Sequence, residues 1–243
     1  GCQPKNKVNL IHTNASGEVP ALGNLVFQFD KKMVGDTLVG QWLDEDYITF
    51  EPPIAGSYRW ESEFELVFSP QSDLPPATSF RARLNNSVLK HSDGLRFGHV
   101  DIAEFHTPYV VLENLAALWN THNGTVSSAF AQAEVLFNYP VTTEAFKEFV
   151  RFTIDNKPVS YNLQTTETDS RMVVSLSDVK AEDKDAEVRV LIKKGFTPHR
   201  GKSGTASELQ LSTMLLSPFR VQVTDIEANH DGTHGTLKVR LSQ

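Results

Sequence analysis

The chain has 243 residues, room for one large or two modest domains, and sets 23 Lys and Arg against 30 Asp and Glu for a formal charge of −7. That acidic balance argues against nucleic acid as a partner, because phosphate backbones are gripped by a basic face. Hydrophobic residues make up 40% and charged residues 22%, ordinary for a globular chain, and no apolar run approaches the ~20 residues of a membrane-spanning helix.

The chain opens on a short polar lead. Cys2 is the single cysteine and stands between Gly1 and the polar stretch 3–7. One cysteine excludes a disulfide within the chain, and this one has no strand in which to act as a small buried hydrophobe. Gly-Cys at an amino terminus resembles the mature junction of a bacterial lipoprotein, where the cysteine carries the lipid. Residues 1–7 are therefore expected to be a lipoprotein tether, with Cys2 the lipidation site and the membrane its partner.

Next come short stretches of alternating side chains, the period-2 pattern of strands with one buried face. Strands are predicted at Val8–His12, Leu25–Phe29, Tyr47–Phe50, Ser57–Trp60, Glu65–Phe68, Ser79–Leu84 and His99–Phe105. Between the second and third, Asp36–Asp46 carries Leu38, Trp42 and Leu43 at roughly helical spacing and reads as a short helix or turn. Proline stands at nearly every junction, as expected of a residue that lacks the ladder donor.

A second pass repeats the first. Strands are predicted at Tyr109–Leu118, Ala129–Tyr139, Phe149–Ile154, Lys157–Leu163, Arg171–Leu176, Glu187–Ile192 and Leu209–Leu216, with a short helix at Thr142–Lys147. Two landmarks share one offset of 110 residues: Leu25 corresponds to Val135, and Thr107-Pro108 to Ser217-Pro218. The alternating segment of Leu25–Phe29 returns a third time as Leu237–Leu241, close to the last residue.

About seven short strands per unit, with turn residues between them, predict an all-β chain of tandem immunoglobulin-like β-sandwich domains. The expected boundaries are 8–108 and 109–218, with 219–243 the opening strands of a truncated third domain. Neither unit has the paired cysteines of antibody domains, so stability must come from apolar burial between sheets, with Trp42, Trp60 and Trp119 as large contributors.

The run Gly17-Glu18-Val19-Pro20, followed by Leu25–Val34 and Tyr47–Phe50, resembles a bacterial Ig-like domain. Its continuation, Trp60–Pro70 and Leu74–Phe80 with the ending Phe105–Pro108, is similar to the amino-terminal region of bacterial alpha-2-macroglobulin-family lipoproteins of Bacteroides-like bacteria. The resemblance is clearest over residues 17–110 and passes to the remainder through the internal repeat. It implies a large lipid-anchored protein of the cell envelope, periplasmic or cell-surface, that traps proteases. In such proteins a bait segment is cut, the trap rearranges, and a Cys-Gly-Glu-Gln thioester couples to the attacker. This chain contains no such run. The resemblance therefore makes it a non-catalytic, membrane-proximal scaffold of a protease inhibitor, working with the other domains of its parent chain and meeting target proteases only through other parts of it. No cofactor is implied.

Several residue groups have the chemistry of a site and are read more simply. His99, Asp101, Glu104 and His106 are potential metal ligands, but alternation puts 99 and 101 on one strand face and 104 and 106 on the other. His230, Asp231 and His234 fall in a Gly-containing turn and read as a polar hairpin loop rather than a zinc site. No Gly-x-Ser-x-Gly elbow occurs, and Gly201-Lys202-Ser203-Gly204 lacks full phosphate-loop spacing, so no catalytic or metal residue is assigned. The loop 195–206, with Lys193, Lys194, His199, Arg200 and Lys202, is a local basic contrast and reads as a solvated hairpin tip or a docking surface. Asn14, Asn85 and Asn123 head glycosylation-like triplets, read as turn residues. A rival reading, an adhesin or glycan-binding module, requires an exposed aromatic platform from Tyr58 and Trp60.

Overall fold

The computed structural model describes residues 6–99, 102–121, 124, 128–220 and 223–241. Cys2, Asp101 and Asn123 lie outside the described residues. The chain separates into two compact units, Gly1–Tyr109 with Arg200–Ser203, and Val110–His199 with Gly204–Gln243.

The strands of the first unit are β1 (Lys7–Val8), β2 (Leu10–Thr13), β3 (Gly17–Glu18), β4 (Leu25–Phe29), β5 (Trp42–Leu43), β6 (Ile48–Glu51), β7 (Gly56–Ser62), β8 (Glu65–Pro70), β9 (Ser79–Leu84), β10 (Arg96–Phe97) and β11 (Ile102–His106). One sheet runs β2-β4-β8-β7-β5 and a second β3-β11-β9-β6, with a small parallel pair β1-β10. Taken in chain order, β2, β4, β8 and β7 are strands A, B, E and D, while β11, β9 and β6 are G, F and C. This is the strand order of the immunoglobulin constant-type sandwich.

In the second unit the strands are β12 (Leu112–Thr121), β13 (Ala129–Val141), β14 (Val150–Ile154), β15 (Lys157–Val159), β16 (Tyr161–Leu163), β17 (Asp169–Leu176), β18 (Ala186–Ile192), β19 (Leu209–Leu215), β20 (Val223–His230) and β21 (Gly235–Leu241), with helix α1 at Thr143–Phe149. The sheets run β12-β13-β17-β16 and β15-β14-β18-β19, the same A-B-E-D and C-F-G order with one added edge strand, and β20-β21 form a separate hairpin. Helix α1 starts where expected: the Thr142 hydroxyl accepts the Ala145 N–H at 3.2 Å, with Glu144 in the first turn and Lys147 in the last.

Alternation produces the two cores. Leu25, Phe27 and Phe29 of β4 point inward with Phe80, Ala82 and Leu84 of β9, around the fully buried Trp60. In the second unit Ala131, Ala133, Val135 and Phe137 of β13 meet Met172 and Val174 of β17, and Val188, Val190 and Ile192 of β18. The Tyr58 hydroxyl, on β7, donates to the Ile48 carbonyl at 3.1 Å and accepts the Ile48 N–H at 3.2 Å on β6, so one side chain ties the two sheets of the first unit together.

One irregularity recurs three times. In β2, two steps from Leu10 to His12 face one step from Phe29 to Gln28, leaving Ile11 as the extra, exposed residue. The same bulge sets Leu112 and Asn114 of β12 against Phe137 and Leu136, and Val223 and Asp225 of β20 against Leu241 and Arg240. A β-bulge bends its strand and fixes register. By this mark Phe29 corresponds to Phe137, not to Tyr139 as the 110-residue offset has it. The shift is two residues, so every side chain keeps its face.

Other sequence expectations need correcting. Val8–His12 is two elements, because the chain changes sheets at Asn9, whose N–H and side-chain amide each bond the Asp30 carboxylate at 2.8 Å. Lys157–Leu163 likewise breaks at Ser160 into β15 and β16, one in each sheet. The segment Asp36–Asp46 holds a 3-10 turn at Asp36–Leu38 and the short strand β5. Trp42 does not join the core: its partner in β5–β7 pairing is the outward-facing Arg59, and its ring is 57% exposed with the Arg59 guanidinium 4.9 Å away. Trp119 is half-buried and packs against the second core, and Trp60 is the fully buried one of the three tryptophans.

Candidate functional site

Of the four potential metal ligands near β11, Asp101 lies outside the described residues, and Glu104 and His106 have partners of other kinds. Glu104 is exposed and paired with Arg81 across the β9–β11 ladder at 2.9 Å. His106 lies with its Nδ1 3.0 Å from the Thr107 carbonyl and its ring stacked on Tyr109 at 4.5 Å. Among the described residues no group of three or more His, Cys, Asp or Glu side chains converges as a metal site. His230, Asp231 and His234 form the β20–β21 turn. There the Asp231 carboxylate accepts the backbone N–H groups of Thr233 and His234 at 2.8 and 2.7 Å. Those N–H groups, His234 foremost, hold its carboxyl below the ordinary aspartate range. His230 Nδ1 accepts the Gly232 N–H at 2.9 Å. These polar atoms build a turn.

The loop 195–206 is internally closed where it leaves and rejoins the second unit. Thr205 is buried, and its Oγ1 accepts the Gly195 and Phe196 N–H groups at 3.1 and 3.3 Å. Phe196 is buried against Phe137 at 5.3 Å between ring centroids. A side chain on Gly204 would place its Cβ 2.5 Å from the Gly195 carbonyl oxygen, so only glycine permits this closure. Lys193, Lys194, His199, Arg200 and Lys202 are exposed, giving the loop a basic surface on an ordered base.

The rival aromatic platform has no residues to stand on, since Trp60 is 0% and Tyr58 6% exposed, both turned into the core. Of the glycosylation-like positions, Asn14 uses its side chain to bond Asn24 and Val26 at 2.9 and 2.7 Å, and Asn85 bonds Thr49 and Asp46 at 2.9 and 3.0 Å. Both act as loop ties.

Besides strand order and the bulge, the two units share a bonded corner at which the chain leaves the last strand. Thr107, after β11, is fully buried, and its hydroxyl donates to the Pro75 carbonyl at 2.7 Å. Ser217, after β19, is 1% exposed, and its N–H bonds the Asp185 carboxylate at 2.8 Å. Its hydroxyl accepts the Phe219 N–H at 3.2 Å, and Arg220 clasps Asp183 beside it, which holds the Asp183 carboxyl below its usual range. Each hydroxyl residue precedes a proline, which forces it into extended backbone.

Part of this chain resembles a bacterial alpha-2-macroglobulin. Over 160 residues, 64% of the chain, it is 22% identical to the alpha-2-macroglobulin of Rickettsia conorii. The matched stretch amounts to 8% of that relative's length. No family model matches the chain. The similarity agrees with the family read from Trp60–Pro70 and Leu74–Phe80.

Sequence reasoning marked Thr107 and Ser217 as landmarks but missed what they bond, because the partners Thr78 and Asp185 lie 29 and 32 residues away. It also missed the cavity beside Trp119.

Proposed function

We propose that this chain is a non-catalytic scaffold segment of a larger, lipid-anchored bacterial protease inhibitor of the alpha-2-macroglobulin kind. On this reading Cys2 carries the lipid that fixes the segment to the envelope membrane. Residues 8–108 and 109–218 are the first two membrane-proximal sandwiches, and 219–243 opens a third. A single acyl chain binds membranes only marginally, so the anchor is a multiply acylated cysteine.

The observation that carries the reading is the distant similarity to a bacterial alpha-2-macroglobulin, falling on a chain built from two sandwiches of one strand order. The third-domain part is supported by the bulge shared among β2, β12 and β20, and by the exposed Ile226, Leu237 and Val239 of the β20–β21 hairpin. A strand pair with an apolar side needs further strands to cover it.

The test uses trypsin with the full-length product of the gene in molar excess over it. A trap encloses the protease and leaves its active site open, so casein cleavage should fall while cleavage of a small chromogenic peptide persists. Unchanged casein cleavage, or loss of both activities together, would refute the proposal.

A further inference from the structure

At one end of the second unit lies a cavity of about 360 Å³, within the size range of small-molecule sites. Its apolar lining includes Trp119, Val179 and Leu215. Its rim carries Asp155, Lys157, Asp178 and Lys180, with Glu182 and Lys184 paired to each other at 3.2 Å. The two aspartates stand on fixed backbone. Asp155 and Asn156 make a tight turn between β14 and β15 with φ of 46° and 65°, and Asp178 has φ of 59°. The Asp155 Oδ1 accepts the Glu187 N–H at 2.9 Å, which leaves its second oxygen for another donor.

Trp119 is half-buried and lines the cavity, its indole nitrogen closed to solvent.

The chemistry of the walls selects the ligand class. Three acidic and three basic side chains line the cavity, so it has no net charge with which to attract an ion. A purely apolar ligand would desolvate the charged rim without replacing its hydrogen bonds. A molecule with one C–H face and a ring of hydroxyls fits both parts, because each hydroxyl donates to a carboxylate or accepts from an ammonium. We infer that this cavity binds a neutral sugar, its apolar face on Trp119 and its hydroxyls on the Asp155, Asp178 and Lys180 rim. This site does not depend on the protease-trap reading, and it uses none of the aromatic residues buried in the first unit.

The test is a ¹H–¹⁵N NMR titration of the whole chain with glucose, galactose, mannose and N-acetylglucosamine in turn, the Trp119 indole signal being assigned with Trp119→Phe. At least one sugar should shift that signal saturably, with affinity on the order of 1 mM. The double variant Asp178→Gly, Lys180→Ala keeps a residue suited to the positive φ at 178 and should weaken binding about tenfold. The proposal is overturned if none of the four sugars moves the indole signal, if the double variant binds as well as the parent, or if inorganic phosphate moves it and the sugars do not.

Discussion

Thr107 and Thr78 hold each other by two reciprocal hydrogen bonds. The Thr78 N–H donates to the Thr107 hydroxyl at 3.0 Å, and the Thr107 N–H donates to the Thr78 carbonyl at 3.0 Å. Both residues are buried, and the approach to β9 is thereby pinned to the exit from β11. Thr107→Val preserves the shape and removes the hydroxyl, leaving the Thr78 N–H and the Pro75 carbonyl unpaired. Urea unfolding should show a loss of about 1–3 kcal/mol, and Thr107→Ser should recover most of it.

Tyr58 offers a test that depends on pH. Burial pushes its phenol far above the ordinary tyrosine range, even though the hydrogen bonds to Ile48 act the other way. A folded-state pKa above the unfolded value of about 10 means that the native state holds the proton more tightly. This contribution is therefore whole below about pH 10 and is lost as pH rises from there toward the folded value. Tyr58→Phe should lower stability at neutral pH by about 1–3 kcal/mol and flatten the decline above pH 10, both read from chemical denaturation across pH.

The tryptophans should separate by solvent access. Trp60→Ala removes a ring packed between Phe29 and Tyr47, at 6.0 and 6.1 Å, and should cost about 3–5 kcal/mol. Trp42→Ala removes an exposed ring and its contact with Arg59, and should cost only about 0.5–1 kcal/mol. Acrylamide quenching checks the same contrast: Trp42→Phe should abolish the most quenchable fluorescence, whereas a core role for Trp42 predicts no change.

What the sequence displayed and what it hid have separate physical causes. Leu25–Phe29 and Ser79–Leu84 alternate without interruption, and both are strands with the boundaries the pattern implies. The changes of sheet at Asn9 and Ser160 carry no local signal, since alternation continues on either side. Asn9 is set by Asp30, 21 residues away. Trp42 misleads because hydrophobicity argues for a core, while its register against Arg59 decides which face it takes. Of the candidate site residues, the loop polar groups could be judged from spacing, as with the His230–His234 turn. The hydroxyl corners and the Trp119 cavity could not, because they are made by segments far apart in the chain that meet only after the sandwich closes.

The proposed anchor has its own consequence. When the chain is expressed in bacteria behind a lipoprotein signal, radiolabelled palmitate should enter the protein and partition it into the membrane fraction. Cys2→Ala should eliminate both effects. Equal labelling of the variant would remove Cys2 from the account.

Native-state hydrogen exchange reads the shared strand order directly, because interior strands bond on both sides and edge strands on one. The slowest amides should lie in β4, β8 and β9 of the first unit and in β13, β17, β14 and β18 of the second. Those of β5 and β16, at sheet edges, should exchange much faster. If Leu25–Phe29 or Ala186–Ile192 exchanged as quickly as Trp42–Leu43 and Tyr161–Leu163, the picture of two sandwiches with one strand order would be wrong.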